Sequence, residues 1–179
     1  RYLTNKFILV SNGEFKLGKS MRFLFTDKSV IIYNDIADEG LKFNRYDNKL
    51  VIISLSRFDF AKNMDMAYRI AKALRNNHEI EFVWVGDGED FVRLKQKSVE
   101  EHVNINFIGF TEYPMSYLKN ADLYLSTSRF EGLPYALIEA ASVGLPIVAT
   151  DVVGNNEVVL HNYNGLVFKT EQEAVDAIK

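Results

Sequence analysis

Two glutamates, Glu131 and Glu139, stand eight residues apart in the stretch RFEGLPYALIEAAS, with a Gly-Leu-Pro break directly after the first. Paired carboxylates can act as acid and base across a glycosidic bond. They can equally accept hydrogen bonds from hydroxyls on either side of a group that lies between them. Arg57 and Lys62 weigh on that choice, because they bring two positive charges to the end of the apolar run LVIISLS. A glycosidase pair requires a site free of competing cations, whereas two cations suit a phosphate or diphosphate. The helix expected from Pro134 adds to them by pointing its unsatisfied N–H groups and positive dipole end at the same place. Glu131 then falls in the loop before that helix and Glu139 about a turn and a half inside it, at about 1.5 Å per residue. A diphosphate between them, with a sugar at one carboxylate and a ribose at the other, is the layout of a nucleotide-sugar. Gly132 leaves the backbone bare for close approach to a ligand, and Pro134 is well tolerated in a first helical turn.

The elements that must position these residues alternate between short apolar runs and longer segments of helical period. That is the pattern of an α/β fold with an open, mostly parallel sheet covered by helices on both faces. From Leu50 on, LVIISLS, IEFVWV, INFIGF, DLYLSTS, PIVATD and GLVF read as strands. Between them KNMDMAYRIAKALRNN, EDFVRLKQKSVEE, YPMSYLKN and PYALIEAASVG read as helices, and TEQEAVDAIK as the last one. In the first of these, Ala67, Ile70, Ala71 and Leu74 recur at helical spacing. Before Leu50 the pattern is less regular: KFILVSN and SVIIYN read as strands and GEFKLGKSMRFLF contains a helix. Residues 1–49 are therefore expected to be a connector with the first strands, and 50–179 a ligand-binding Rossmann-like domain. The chain opens on Arg1 and stops inside an amphipathic stretch, which suggests a fragment of something longer.

Ligands of open parallel sheets bind outside the carboxyl ends of the strands. Arg57 and Lys62 follow the first main strand, Gly86-Asp87-Gly88 the second, Gly109 and Phe110 the third, Arg129, Glu131 and Gly132 the fourth, and Asp151, Gly154, Asn155 and Asn156 the fifth. Singly, such residues are ordinary turns and solvated faces. Their convergence on one edge argues for a ligand crevice.

Composition bounds the rest. At 179 residues and 47% hydrophobic, the chain can bury a sizeable core. A net charge of -3 gives no general pull toward nucleic acid. There are no cysteines, and His78, His102 and His161 are scattered without ligand spacing. No apolar run approaches the roughly 20 residues of a membrane helix. No Asp-x-Asp motif is present, so no essential divalent metal and no cofactor beyond the nucleotide-sugar substrate is expected.

EGLPYALIE with AASVGLPIVATDVVG, SRFDFAKN, VWVGDGE and HNYNGLVF resemble family 4 retaining glycosyltransferases of GT-B fold, in order and spacing, from about Ser29 to Ile178. The resemblance implies that this chain is the C-terminal, donor-binding half of a two-domain GT-B enzyme, with the acceptor held mainly by an N-terminal domain. It implies that Arg57 and Lys62 contact the diphosphate and stabilise it as it leaves, that Glu139 holds the ribose, and that Glu131 faces the donor sugar. Backbone contacts are implied for Gly132, Leu133, Pro134, Tyr135, Ala136 and Leu137 near the phosphates, and Gly109 and Phe110 border the base; Gly86 is placed with them. The chain departs from the family pattern at Asp35, Ser56 and Asn63, where glycines are frequent.

The implied activity is retaining, metal-independent transfer of a sugar from a nucleotide diphosphate-sugar to a glycan or lipid-linked saccharide, in cell-surface polysaccharide synthesis. The implied location is the cytoplasm, with peripheral association at the inner face of the cytoplasmic membrane. The isolated fragment is expected to be inactive. Nucleotide-sugar epimerases of the same fold, a donor-binding module without catalysis, and a receiver-like domain with a phosphorylated aspartate are the alternatives; the last leaves Arg57, Lys62 and the two glutamates unexplained.

Overall fold

A computed structural model of the chain describes residues 5–22, 26–37, 40–41 and 49–179. Parts of the expected connector, at 1–4, 23–25, 38–39 and 42–48, lie outside the described residues. From Leu50 on, six strands form one sheet: β3 (Leu50–Leu55), β4 (Ile80–Val85), β5 (Ile105–Gly109), β6 (Leu123–Ser126), β7 (Ile147–Thr150) and β8 (Gly165–Phe168). Every pairing is parallel and the spatial order is β5-β4-β3-β6-β7-β8. The chain thus winds outward from β3 in one direction, returns to the middle, and winds outward from β6 in the other. β3 and β6 flank the topological switch point, where connections leave to opposite sides and a crevice opens at the strand ends.

Alternation along the strands explains why their sequences read as continuous apolar runs. Ile52 of β3 faces one core with Trp84, Leu125 and Val148. Its neighbours Val51 and Ile53 face the other with Val83, Tyr124 and Ile147. The first core is covered by α2 (Met64–Ala73), α3 (Phe91–Glu100) and α7 (Glu171–Ile178), the second by α4 (Pro114–Lys119) and α5 (Tyr135–Ser142). A sheet buried on both faces has no polar side to alternate with. α7 is closed at its start by a capping box, Thr170 accepting from the Glu173 N–H and Glu173 from the Thr170 N–H.

The segment before Leu50 forms a separate two-stranded parallel sheet, β1 (Phe7–Leu9) with β2 (Ser29–Ile31), bridged by α1 (Asn12–Ser20). It is seated on the larger unit through the start of α1. Ser11 caps that helix from within, accepting from the Glu14 N–H at 3.1 Å. The carboxylate of Glu157, from the four-residue helix α6 (Asn155–Val158), accepts from the Asn12 N–H at 2.9 Å and also from the Gly13 N–H. A carboxylate at a helix N-terminus complements both its free N–H groups and its dipole. α6 has no counterpart in the sequence reading, which has only polar loop there: four residues are too few for a helical period to show.

Candidate active site

The two loops that leave the switch point are laced together. Thr127 Oγ1 donates to Lys62 O or Asn63 O, each at 3.1 Å, and the Arg129 N–H donates to Ala61 O at 2.8 Å. Beneath them, the buried Tyr124 hydroxyl donates to Leu55 O at 2.8 Å, tying β6 to the end of β3. Burial, with Glu131 and Glu139 nearby, raises the Tyr124 pKa and keeps the phenol neutral. Asn63 sits at φ 53°, ψ 48°. Glycine reaches that left-handed region without strain and asparagine is among the side chains that tolerate it, which accounts for the asparagine where glycines are frequent.

Lys62 and Glu131 meet directly, with Nζ 2.5 Å from Oε1, and both side chains are largely buried. Ser128 donates to the same oxygen at 2.6 Å. A small cavity of about 20 Å³ lies beneath this pair, lined among others by Tyr124, Thr127 and Ala136. Lys62, expected from sequence to contact a diphosphate lying between Glu131 and Glu139, is paired in this structure with the Glu131 carboxylate. Arg57 stays apart from them, its side chain 77% exposed and paired with Asp59 at 3.1 Å.

Glu139 is different. It lies half-buried on α5, no described residue bonds its carboxylate, and desolvation raises its pKa above the usual carboxylate range. Pro134 serves as N-cap of that helix rather than its first residue, at φ -75°, ψ 120°, and offers no side-chain cap. Among the described residues the Tyr135 and Ala136 N–H groups have no acceptor, as the first N–H groups of an uncapped helix do not.

The glycines have reasons of their own. A Cβ at Gly132 would lie 2.4 Å from Glu14 Oε1 and 3.2 Å from a Val10 methyl, so the close approach there is to the start of α1. Gly154 lies so close to Gly132 that a Cβ would meet the carbonyl oxygen at 2.5 Å. Gly86, at φ 125°, passes against Ser56, whose carbonyl oxygen a Cβ would strike at 1.9 Å, and its N–H donates to Gly109 O at 2.8 Å. Phe110 is 79% exposed beyond β5, while Leu133 and Leu137 are buried. Leu133 O accepts from the Asn34 side chain at 2.7 Å, so the loop between Glu131 and α5 is held from the N-terminal segment as well.

Ser128, bonded to Glu131, and Thr127, bonded to the Lys62 loop, are the residues at this edge that sequence reasoning missed. Their signal was present in the polar end of LYLSTS, where a buried strand turns from leucine and tyrosine to three hydroxyls in a row. Among the described residues no three acidic or histidine side chains cluster as metal ligands, and no helix is long and apolar enough to cross a membrane.

Residues 36–179 match the family described as glycosyl transferases group 1. The chain is 30% identical over 165 residues to the capsular polysaccharide biosynthesis glycosyltransferase CapH of Staphylococcus aureus, spanning 87% of this chain and 45% of CapH. It is 30% identical over 142 residues to the Escherichia coli UDP-Gal:alpha-D-GlcNAc-diphosphoundecaprenol alpha-1,3-galactosyltransferase, spanning 70% and 37%. It spans less than half the length of either relative. Among solved structures, an S. aureus TarM mutant in complex with fondaparinux, alpha-GlcNAc-glycerol and UDP superposes with a TM-score of 0.87 at 20% identity, over 97% of this chain and 36% of TarM. Anabaena HepE in complex with UDP-glucose gives a TM-score of 0.85 at 22% identity, over 97% and 53%. These likenesses show the Rossmann-like fold.

Proposed function

The chain belongs to the group 1 glycosyl transferases, and on that premise we propose that it is the donor-binding part of a retaining enzyme that moves a sugar from a nucleotide diphosphate-sugar to a glycan or lipid-linked saccharide in polysaccharide synthesis. The observation that carries this reading is Glu139: a half-buried carboxylate without a described partner, on the same short helix whose first N–H groups lack acceptors. Burying a carboxylate unpaired is costly unless a ligand completes it. Ribose hydroxyls donating to Glu139, with the diphosphate at the helix start, would satisfy both. Curated relatives acting on UDP-galactose and in capsular polysaccharide biosynthesis agree with this reading by their names.

In the transfer, the acceptor hydroxyl attacks the anomeric carbon on the face from which the diphosphate departs, and the departing phosphate oxygen takes the hydroxyl proton. Negative charge grows on that phosphate. Lys62, released from Glu131, meets it; Arg57 swings from Asp59 to the outer phosphate; the Tyr135 and Ala136 N–H groups complete the cradle. Once donor binding has drawn Lys62 from Glu131 and Arg57 from Asp59, positive potential so placed needs no further reorganisation as the bond breaks. Glu131, freed by the phosphate, accepts from the sugar hydroxyls while Ser128 holds its orientation. In this reading the cations carry the leaving-group charge and no divalent ion is required, which turnover in excess chelator tests. The isolated chain is inactive, and the full-length enzyme works in the cytoplasm against the inner membrane face.

Calorimetry of UDP-, GDP-, ADP- and dTDP-sugars, on the chain and on the full-length protein, tests the donor assignment. One nucleotide-sugar should bind, and Glu139→Ala and Arg57→Ala should each weaken it about tenfold or more, as expected for a lost hydrogen bond to a charged group. Equal binding by wild type and both variants would remove the site.

A further inference from the structure

Three cations stand at the switch point, and two of them are spoken for by Asp59 and Glu131. Among the described residues no carboxylate lies within ion-pair distance of the third, Arg129. Its guanidinium is nonetheless held in place: it stacks on the Phe60 ring at 4.2 Å and donates through Nη1 to Phe60 O. Phe60 in turn packs against Phe130, ring centroids 6.5 Å apart, and both rings are left 64% and 59% exposed. The stacking and the hydrogen bond offset the rotamer entropy that fixing this side chain costs, so the guanidinium is held in one place without a carboxylate.

Arg129 and Phe130 line a cleft of about 540 Å³ that runs alongside Glu131 and Gly132. That volume is within the range of small-molecule sites. Its opposite walls come from α1, with Glu14 and Leu17, and from the turn after β7, with Asp151 and Asn156. Asp151 is already engaged by Asn156 at 2.6 Å and Lys169 at 3.4 Å, and Glu14 by the Val10 N–H at 3.0 Å. The one wall thus offers an unpaired cation beside an aromatic face; the others offer partly satisfied acceptors suited to hydroxyl groups. Glu131, at the sugar end of the donor in the proposed function, lines both this cleft and the small cavity beside Lys62.

Resting on that reading, we propose that this cleft is the acceptor subsite, taking a saccharide whose ring lies on the face of Phe130 and whose phosphate or diphosphate ester meets Arg129. A sugar ring presents C–H groups to an aromatic face and hydroxyls at its edge, and a phosphate ester matches the forked guanidinium. Through this subsite the donor half and α1 share the acceptor with the N-terminal domain, beside the carbon it attacks.

The test uses the full-length protein with the nucleotide-sugar found by calorimetry. N-acetylglucosamine, glucose and galactose are each offered as the neutral octyl glycoside, the 1-phosphate and the octyl diphosphate ester. For whichever sugar is accepted, the KM of the octyl diphosphate should be about tenfold or more below that of the octyl glycoside. The 1-phosphate arm shows whether the ester alone suffices or the lipid is also needed. Arg129→Gln should bring the KM ratio close to one, Arg129→Lys should restore part of it, and Phe130→Ala should raise every KM by a common factor with the ratio kept. Donor Kd should stay within about twofold throughout. Tight donor binding with no preference among the esters overturns this proposal alone, as does an Arg129→Gln variant that weakens donor binding and keeps the acceptor ratio. Absence of donor binding by the wild type would sink the donor reading and this subsite with it.

Discussion

Glu131 and Glu139 lie in one short stretch, yet the structure treats them in opposite ways. Glu131 is held by Lys62 and Ser128 through a single oxygen. Glu139 is half-buried without a described partner, and its carboxyl is harder to ionise than usual. The first carboxylate is satisfied inside the protein and must be released for a ligand; the second is left unsatisfied and waits for one. Binding at the two ends therefore draws on different sources. At the Glu131 end a phosphate competes with an existing ion pair, so the gain is the difference between two charged contacts. At the Glu139 end each new hydrogen bond also relieves a desolvated charge.

The strongest way to break this contrast is to take away the cation. Lys62→Met removes a contact to the leaving phosphate and leaves Glu131 with Ser128 alone. Turnover should fall about 100- to 1000-fold, the usual cost of one charge-stabilising donor. Adding Glu131→Gln should return stability, because the buried charge disappears with its lost partner, but not turnover. Thermal unfolding and steady-state kinetics on the single and double variants check this. If the double variant recovers neither, the pair is not energetically coupled and the two glutamates differ less than the structure indicates.

A middle-sized effect is expected at the other end. Glu139→Gln keeps the shape and removes the charge, so donor affinity should drop by about five- to tenfold, the difference between a charged and a neutral acceptor. The free protein should respond the other way. With its folded-state pKa raised, Glu139 binds its proton more tightly folded than unfolded, so its carboxyl favours folding less as pH climbs from the ordinary carboxylate range through its raised value. Above that window Glu139→Gln should unfold at a higher temperature than wild type; below it the advantage should vanish. Melting curves from pH 4 to 8 report the sign, and a variant that is never more stable would mean that Glu139 already has a partner.

Much of this was legible before any coordinates. Six strands and the helices between them follow from apolar runs and helical period, since a sheet covered on both faces leaves a clear record. The gathering of Arg57, Lys62, Glu131 and Gly109 on one edge also follows, because strand ends mark where loops must lie. What was not legible depends on partners far apart in sequence. Lys62 and Glu131 are 69 residues apart and Glu157 is 144 from Gly13, and no local pattern records such a meeting. Gly132 shows the limit most clearly: its need for bare backbone was readable, but the Glu14 carboxylate that a Cβ would meet there was not. Likewise Arg129 looked like one more loop cation until its stacking on Phe60 separated it from the other two.

The smallest test sharpens the contrast by leaving both charges in place. Ser128→Ala removes the hydroxyl that shares Glu131 Oε1 with Lys62 while keeping the ion pair. One hydrogen bond to a carboxylate is worth about 1.5 kcal/mol or somewhat more. If Ser128 orients Glu131 toward the donor sugar, turnover should fall about tenfold for the intact nucleotide-sugar, whereas affinity for the bare nucleotide diphosphate, which engages Glu139 and the cations but has no sugar, should change less than twofold. Parallel calorimetry with the nucleotide-sugar and its diphosphate separates these outcomes. Equal weakening of both ligands would place Ser128 in support of Lys62 instead, and the division between a sugar end and a ribose end would have to be redrawn around the lysine.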